Sequence, residues 1–400
     1  MLNHSLLRLG SYTSKSIARS VESDANVISL SIGEPVFGPP PNSETALSEL
    51  LRSGVLMTDL KRYETSLGLP ELRHAIADYG RTYFELQVDP ETQVLVTTGG
   101  AGALTAAILT TTNPGDEIII GDPSYMLYER LVTVLGRRPV PFLRHVGNGY
   151  RWDIQALRGA VSDRTGAIIV NSPENPTGYV CAEEEIRDIV RLCRDKDMFL
   201  IHDEVYDQFC FNGPHLPAGI VDGFDNVVQV NSMSKKFGVP GLRIGWMVSN
   251  AGTIAAAAKA QDYTTLAVNA FNERIANVFL RTPDLSTWFG EVRQSLRQRV
   301  ADTIQCLTSV PGFDFPSVIG GGMFAFPNVD QLAARLGSQG ERADELVARW
   351  LRDIAGVAVV PGATYGSAGN NAVRLVLCGP EAALVAGLKR IVQAVNGIEG

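Results

Sequence analysis

Several features that define other protein classes are scarce or missing in this chain of 400 residues. The five cysteines are scattered and never form a CxxC pair, so they support neither a disulfide framework nor a zinc site. No apolar run reaches the roughly 18 residues of a membrane-spanning helix, and no Lys/Arg block offers an electrostatic grip on nucleic acid or lipid. The formal net charge of −8 points the same way. We therefore expect a cytoplasmic protein that acts on small molecules, with no metal centre and no membrane or nucleic-acid partner.

The length and composition set the scale of the fold. With 45% apolar and 20% charged residues, the chain has the composition of an ordinary globular protein. A single core has usually stopped growing at this length, so we expect two domains. The first twenty residues contain Arg8, Lys15 and Arg19 but no acidic residue. This faintly resembles a transit peptide, but we prefer an N-terminal helical arm on the folded protein.

Short apolar segments alternate with longer helical patterns from about residue 93 onward. The candidate strands are VLVTT, EIIIG, AIIVN, MFLIHDE, VVQVNS and IGWMVS. Their continuous apolar character is typical of parallel strands covered by helices on both faces, which predicts an α/β sheet domain. After Ala251 the pattern is mainly helical to about residue 308. Shorter candidate strands in GGMFAFPNV, VAVVPG and AVRLVL then indicate a second, smaller unit.

The segment SMSKKFGVPGLRIG, residues 232–245, carries the strongest chemical signal. Hydroxyl groups and a guanidinium spaced around a lysine can hold a phosphate dianion by charge-assisted hydrogen bonds. A sheltered lysine can also lose its proton and attack an aldehyde. A surface loop with ordinary serines and lysines is the simpler alternative, but the combination at fixed spacing is rare by chance.

Polar and aromatic residues also lie where other candidate strands end. Residues 97–104, TTGGAGAL, follow a strand and open a helix, whose free backbone N–H groups favour an anion. Tyr125 lies in a turn, where its flat ring is available for stacking. Asn175 begins an Asn-Pro-Thr-Gly turn, and Asp203 ends a strand, where a buried carboxylate needs a positive partner.

Together these segments resemble the class I and II aminotransferases, which are fold-type I enzymes of pyridoxal 5'-phosphate (PLP). The resemblance extends over nearly the whole chain. It implies an α/β PLP-dependent transferase fold: a large domain with a mostly parallel seven-stranded sheet between helices, and a smaller α/β domain. The corresponding division is an N-terminal arm and part of the small domain at 1–45, a large PLP-binding domain at 46–290, and a small C-terminal domain at 291–400.

The resemblance assigns cofactor roles to individual residues. Lys235 matches the lysine that forms the Schiff base, and Asp203 matches the acid that pairs with the protonated pyridine nitrogen. Tyr206 and Asn175 match the residues that bond the phenolic oxygen, and Tyr125 matches the stacking aromatic. Phosphate contacts fall on Gly99, Gly100, Ala101, Ser232, Ser234 and Arg243, although many relatives carry Lys, Thr or Ser at the position of Ala101.

Substrate and partner contacts follow from the same resemblance. Gly33, in a Gly-Glu-Pro segment, matches backbone that borders the substrate carboxylate, and Arg374 matches the arginine that binds this carboxylate with two prongs. Asn175 is also expected to contact the substrate. Tyr63 matches a tyrosine that reaches the phosphate of the neighbouring subunit, which implies a homodimer with shared active sites. A looser match places residues 263–265 at the same interface.

Two charged residues beside the motifs have no assigned role. Lys236 follows the motif lysine directly, and we interpret it as a solvated charge or as a charge one layer behind the site. His202 precedes Asp203, and we interpret it as a structural histidine.

These assignments predict a PLP-dependent aminotransferase that acts on an L-amino acid and a 2-oxo acid through a Lys235 Schiff base. One alternative keeps the cofactor but performs elimination, replacement or cyclisation at the β or γ carbon. In particular, KKFGVPGLRIGW and QDYTTLAVN resemble segments of capreomycidine-synthase-like enzymes. Another alternative is a non-catalytic relative that uses the sheet as a scaffold, which would leave Lys235, Asp203 and Arg243 without a purpose.

Overall fold

The computed structural model describes residues 6–7, 9–10, 16–17, 24 and 26–398, apart from 60, 62, 317 and 339. The N-terminal arm was expected around Arg8, Lys15 and Arg19, and these three residues lie outside the described part of the chain.

A mostly parallel seven-stranded sheet forms the centre of the molecule, as predicted. Its strands are β2 (Val94–Thr97), β3 (Glu117–Asp122), β4 (Arg138–Leu143), β5 (Thr165–Asn171), β6 (Phe199–Asp203), β7 (Val227–Ser232) and β8 (Gly245–Val248). They lie in the order β2-β8-β7-β6-β5-β3-β4. Strand β8 runs antiparallel to both of its neighbours, and the other pairs are parallel. Every residue of β2, β3, β7 and β8 is buried, because helices cover both faces of the sheet.

Strand β4 is the one strand of this sheet that the apolar pattern did not indicate. Its sequence, RPVPFL, contains Pro139 and Pro141, and most of its residues are exposed or partly exposed. Proline lacks an N–H group to donate to a neighbouring strand, so it is tolerated at the edge of a sheet. The position of β4 next to β3 alone fits this rule.

The helices of the described residues occupy most of the intervals between the strands. In chain order they are α1 (Ser43–Arg52), α2 (Val55–Asp59), α3 (Pro70–Phe84), α4 (Gly99–Thr111), α5 (Leu127–Val134), α6 (Ile154–Ala160), α7 (Glu183–Asp195), α8 (Gly219–Asp222), α9 (Met233–Lys236), α10 (Ala251–Thr264), α11 (Ala270–Leu280), α12 (Leu285–Thr308), α13 (Asp330–Arg335), α14 (Ala343–Asp353) and α15 (Glu381–Asn396). None of them is long and apolar enough to cross a lipid bilayer.

Shorter strands form two small sheets from the two ends of the chain. Strand β1 (Ile28–Ser29) pairs in parallel with β10 (Val357–Ala358). Strands β11 (Val360–Pro361), β12 (Val373–Val376) and β9 (Phe324–Ala325) form an antiparallel sheet in the order β11-β12-β9. The boundary predicted at 290/291 falls within helix α12, and the division into domains stays a prediction.

Candidate active site

The predicted site residues meet where parallel strands of the central sheet end. Strands β5, β6 and β7 end at Asn171, Asp203 and Ser232, and the carboxyl ends of parallel strands lie at one edge of a sheet, where α/β proteins bind ligands. Helix α4 begins beside them after β2. This topology brings together segments that are more than a hundred residues apart in sequence.

Lys235 lies on the single-turn helix α9, directly after strand β7. Its Nζ atom donates a hydrogen bond to the carbonyl oxygen of Gly33 at 2.8 Å. Burial lowers the pKa of Lys235, the nearby positive charge of Arg374 lowers it further, and Cys378 and Glu34 act in the opposite direction. A lowered pKa raises the fraction of neutral amine, which is the nucleophilic and basic form.

Asp203 is a buried carboxylate with two nearby donors. Its Oδ2 atom accepts a hydrogen bond from the hydroxyl of Tyr128 at 2.7 Å, and its Oδ1 atom accepts one from the backbone N–H of Val205 at 3.2 Å. Burial raises the pKa of Asp203 to about 6 even though both hydrogen bonds lower it. Tyr128 is a contact that the sequence analysis missed, since no motif marks it in the first turn of α5.

Hydroxyl, guanidinium and backbone groups lie together at the start of helix α4. The Oγ atoms of Ser232 and Ser234 lie 2.9 Å apart. Gly99 has a φ of 69°, and a Cβ atom built on it would collide with the guanidinium of Arg243. Only glycine leaves room for this arginine, and Gly100, in the first turn of α4, lies beside Ser232.

Arg374 and Asn175 form the opposite side of the site. The Nη1 atom of Arg374 donates to Oδ1 of Asn175 at 3.1 Å, and its Nη2 atom donates to the carbonyl oxygen of Ser31 at 2.6 Å. The guanidinium lies 4.8 Å from the ring centre of Phe324 and 4.9 Å from that of Tyr365. Among the described residues its Nε atom is buried without a hydrogen-bond partner.

Two predicted tyrosines lie close to these groups. Tyr206 is buried, and its ring meets Phe324 edge to face at 5.7 Å between ring centres. Tyr125 is partly buried, and its ring stands perpendicular to that of Tyr128 at 5.5 Å. Tyr125 thus contacts Tyr128, the tyrosine that donates a hydrogen bond to Asp203.

Comparison with known proteins places the chain in a family. The model of the family described as aminotransferase class I and II matches residues 25–391. The chain belongs to this family. It is a PLP-dependent aminotransferase of fold type I, and the alternative of a non-catalytic scaffold falls with this assignment.

Named relatives of the aminotransferase act on different substrates. A probable aspartate/prephenate aminotransferase of Aquifex aeolicus is 29% identical over 376 residues, which are 93% of this chain and 92% of the relative. An arginine–pyruvate transaminase of Pseudomonas aeruginosa is 32% identical over 365 residues, 91% of this chain and 88% of the relative. The solved structure of N-succinyldiaminopimelate aminotransferase from Mycobacterium tuberculosis is 28% identical, with a TM-score of 0.88 over 98% of this chain and 100% of that one.

The interpretation of Lys236 as a solvated charge is wrong. The side chain is not solvated, because the residue has no exposed surface. Its Nζ atom lies 2.5 Å from Oδ2 of Asp207 and 2.6 Å from Oδ1 of Asn231. The aminotransferase therefore holds two adjacent lysines in different environments: Lys235 faces the site, and Lys236 lies in the protein interior.

His202 belongs to a buried ionic cluster on the aminotransferase's central sheet. Its Nδ1 atom lies 2.7 Å from Oε1 of Glu204, and Nε2 of His215 lies 3.3 Å from Oε2 of the same carboxylate. Burial opposes ionisation of His215, but the charge of Glu204 raises its pKa to about 10. The potential ligand atoms of His202, Glu204 and His215 all lie within 4.8 Å of one another. The structural role of His202 stays a prediction.

Three residues with predicted contacts are exposed in the single chain. Tyr63 is 86% exposed and Tyr263 is 92% exposed, so both rings lie on the surface of the single chain. Ala101 is also exposed in the first turn of α4. Its methyl group offers no hydrogen bond to an anion, as its departure from the family pattern implied.

Proposed function

We propose that the enzyme transfers an amino group between an L-amino acid and a 2-oxo acid, with Lys235 as the cofactor-binding lysine and Arg374 as the carboxylate-binding group. One observation carries this assignment. The Lys235 amine and the Arg374 guanidinium are held by carbonyl groups of the same short segment, at Gly33 and Ser31. An amino acid whose carboxylate meets Arg374 would thus present its α-carbon close to the lysine amine.

The residues around helix α4 suit the phosphate of PLP. The hydroxyls of Ser232 and Ser234, the guanidinium of Arg243 and the N–H groups at the start of α4 provide donors for a dianion. The absence of a side chain at Gly99 leaves space beside Arg243. We assign Gly100 and Ala101 to the same cradle through their backbone N–H groups.

The other end of the site suits the ring of PLP. When bound, PLP supplies an aldehyde carbon and a protonated ring that stabilises negative charge at the substrate's α-carbon. The carboxylate of Asp203 would bind the ring nitrogen, because ionisation of this buried acid becomes favourable beside a positive partner. We assign the phenolic oxygen to Asn175 and Tyr206, and the ring face to Tyr125.

Lys235 is positioned to move protons during the reaction. Its amine has a lowered pKa, so a larger fraction is neutral and able to accept a proton from the substrate's α-carbon. The same Nζ atom would then return the proton to the carbon that was the aldehyde carbon of the cofactor. Arg374 would hold the carboxylate throughout, which keeps the α-hydrogen directed at the amine.

The substrate side chain is not fixed by these groups. The relatives are named for aspartate and prephenate, for arginine, and for N-succinyldiaminopimelate, and these molecules differ most in their side chains. Arg374 and Lys235 would recognise the α-carboxylate and α-amino group that such amino acids share. The names of these relatives favour transamination over elimination, replacement or cyclisation at the β or γ carbon.

We further propose a cytoplasmic homodimer with shared active sites. The high exposure of Tyr63 and Tyr263 in the single chain is consistent with this arrangement, because it leaves both rings available to a partner subunit. Tyr63 would reach the phosphate in the neighbouring subunit, and residues 263–265 would line the interface.

The function is tested by incubating the PLP-loaded enzyme with single amino acids and no acceptor. A transaminase releases up to one equivalent of 2-oxo acid per active site and no ammonia. The Lys235→Arg variant should lose this release, whereas Lys259→Arg, at an exposed position of α10, should retain it. Continuous release of ammonia or of a cyclic product would instead identify β- or γ-carbon chemistry.

A further inference from the structure

A second lysine, Lys236, lies wholly inside the protein next to the proposed cofactor lysine. Its Nζ atom contacts the Asp207 carboxylate and the Asn231 side-chain oxygen. It also lies 4.7 Å from the ring centre of Tyr79 and 5.0 Å from that of Trp246. An ammonium group has three donors and no acceptor, and carboxylate, amide oxygen and aromatic faces all attract it. We therefore treat Lys236 and Asp207 as a buried ion pair.

The Asp207 carboxylate is itself held by a buried network. Its Oδ2 atom accepts hydrogen bonds from the Tyr79 hydroxyl at 3.0 Å and from Nδ2 of Asn231 at 2.8 Å, in addition to the Lys236 ammonium. Nε2 of Gln208 donates to the Tyr79 hydroxyl at 2.7 Å. With several partners on each charge, the ion pair has one preferred geometry, unlike an exposed pair of mobile side chains.

This ion pair joins two segments that carry proposed cofactor contacts. Asp207 directly follows Tyr206 and lies four residues after Asp203. Lys236 directly follows Lys235, on the helix that begins after Ser232. The Lys236–Asp207 contact is therefore a brace between the segment after β6 and the segment after β7.

The geometry of helix α9 links this brace to Lys235. The helix has four residues, and so short a helix has too few internal hydrogen bonds to fix its own orientation. Successive residues of an α-helix point about 100° apart, because one turn takes 3.6 residues. Anchoring Lys236 in the interior therefore directs the Lys235 side chain away from Asp207 and toward Gly33, where its Nζ atom is found.

We propose that Lys236 is a positioning residue: its ion pair with Asp207 fixes the rotation of helix α9 and so holds the Lys235 amine in the active site. The proposal rests on the role of Lys235 in the proposed function. Lys236 has no part in the chemistry, because it is enclosed on the side of the helix that faces the protein interior.

The test compares the PLP-loaded wild type with Lys236→Met and with the double variant Lys236→Met/Asp207→Asn. The single variant leaves a buried carboxylate without its cation, so it should lose thermal stability as well as activity. The double variant removes both charges, so it should recover most of the stability. Lys259→Met, at an exposed position, is the matched lysine control and should behave as the wild type.

Positioning predicts a specific pattern in the kinetics. In the double variant, kcat should stay roughly 10- to 100-fold below wild type, as a displaced catalytic group costs, while KM for the amino acid changes little because Arg374 is untouched. The pH profile of kcat should also shift, because the Lys235 amine of the variant lies in a different environment and therefore has a different pKa. A purely structural role predicts that the double variant recovers kcat and the wild-type pH profile together with its stability, and this result would overturn the proposal.

Borohydride reduction of each variant separates the two hypotheses. A PLP adduct on Lys235 in every variant, with reduced kcat, supports the positioning role. If the wild type carries no adduct on Lys235, the proposed function fails instead. A Lys236→Met variant with wild-type kcat and pH profile overturns the positioning role alone, whatever its stability.

Discussion

The hydroxyl of Tyr128 provides the most informative single substitution at the site. The Tyr128→Phe variant keeps the ring that packs edge to face against Tyr125 and removes only the 2.7 Å hydrogen bond to the Asp203 carboxylate. A hydrogen bond to a charged group contributes about 1.5–3 kcal/mol, and each 1.4 kcal/mol corresponds to a tenfold change in affinity. The hydrogen bond favours the ionised form of Asp203, so if Asp203 binds the ring nitrogen, PLP affinity should fall by up to about 10- to 100-fold at pH values where Asp203 of the variant is protonated.

The loss should also depend on pH. The pKa of Asp203 is raised to about 6 in the cofactor-free protein, and the Tyr128 hydrogen bond opposes that rise. Removing the hydroxyl raises the pKa of Asp203 further. The carboxylate that pairs with the cationic ring is present above this pKa and is lost as the pH falls through it. The pH at which PLP binding weakens should therefore move upward in Tyr128→Phe.

The assay is a titration of cofactor-free protein with PLP, followed by absorbance, at several pH values from about 5 to about 8.5, on both sides of the raised Asp203 pKa of about 6. Tyr83→Phe removes a partly buried tyrosine hydroxyl from helix α3 and is the matched control. An unchanged dissociation constant and an unchanged midpoint in Tyr128→Phe would refute the proposed contact between Asp203 and the ring.

Three further predictions concern other parts of the molecule. Arg374→Lys should raise KM for amino and oxo acids about 10- to 100-fold, with a smaller change in kcat, because lysine lacks the two-pronged geometry; equal loss in kcat with constant KM would contradict the carboxylate role. Gly99→Ala should weaken PLP binding more than Gly115→Ala, which has a similar positive φ but open space around its Cβ position; equal effects would remove the phosphate assignment. His215 should stabilise the fold fully below its ordinary pKa of about 6.5 and lose that contribution as pH rises through about 10. The Tm of the wild type should therefore fall over this pH range more steeply than the Tm of His215→Gln. Parallel curves of Tm against pH would exclude the ion pair with Glu204.

The sequence predicts the central sheet because its signal is local. Strands β3 and β7 are buried at every residue and carry apolar runs, III and VV, so the local residue pattern identifies them. Strand β4 is missed because its prolines and partly exposed residues hide it, and only pairing with β3 reveals it. The family resemblance predicted seven strands where the apolar pattern indicated six.

Some site residues can likewise be identified from the sequence, whereas the contacts of others depend on the fold. Lys235, Asp203 and Arg374 lie in segments that the family resemblance marks. The burial of Lys236 depends on Asp207, which lies 29 residues earlier in the chain, and on rings from other elements. The contact of Tyr128 with Asp203 spans 75 residues. A linear pattern holds no signal for such partners, since the folded sheet alone brings them together.

The presence of a second lysine, Lys236, directly after Lys235 allows a direct test of which lysine binds the cofactor. The measurement is borohydride reduction of the PLP-loaded enzyme, followed by proteolysis and mass spectrometry of the peptide that contains both lysines. We expect a reduced PLP adduct on Lys235 and an unmodified Lys236, because only Lys235 faces the site, whereas Lys236 has no exposed surface. An adduct on Lys236, or none on this peptide, would contradict this expectation.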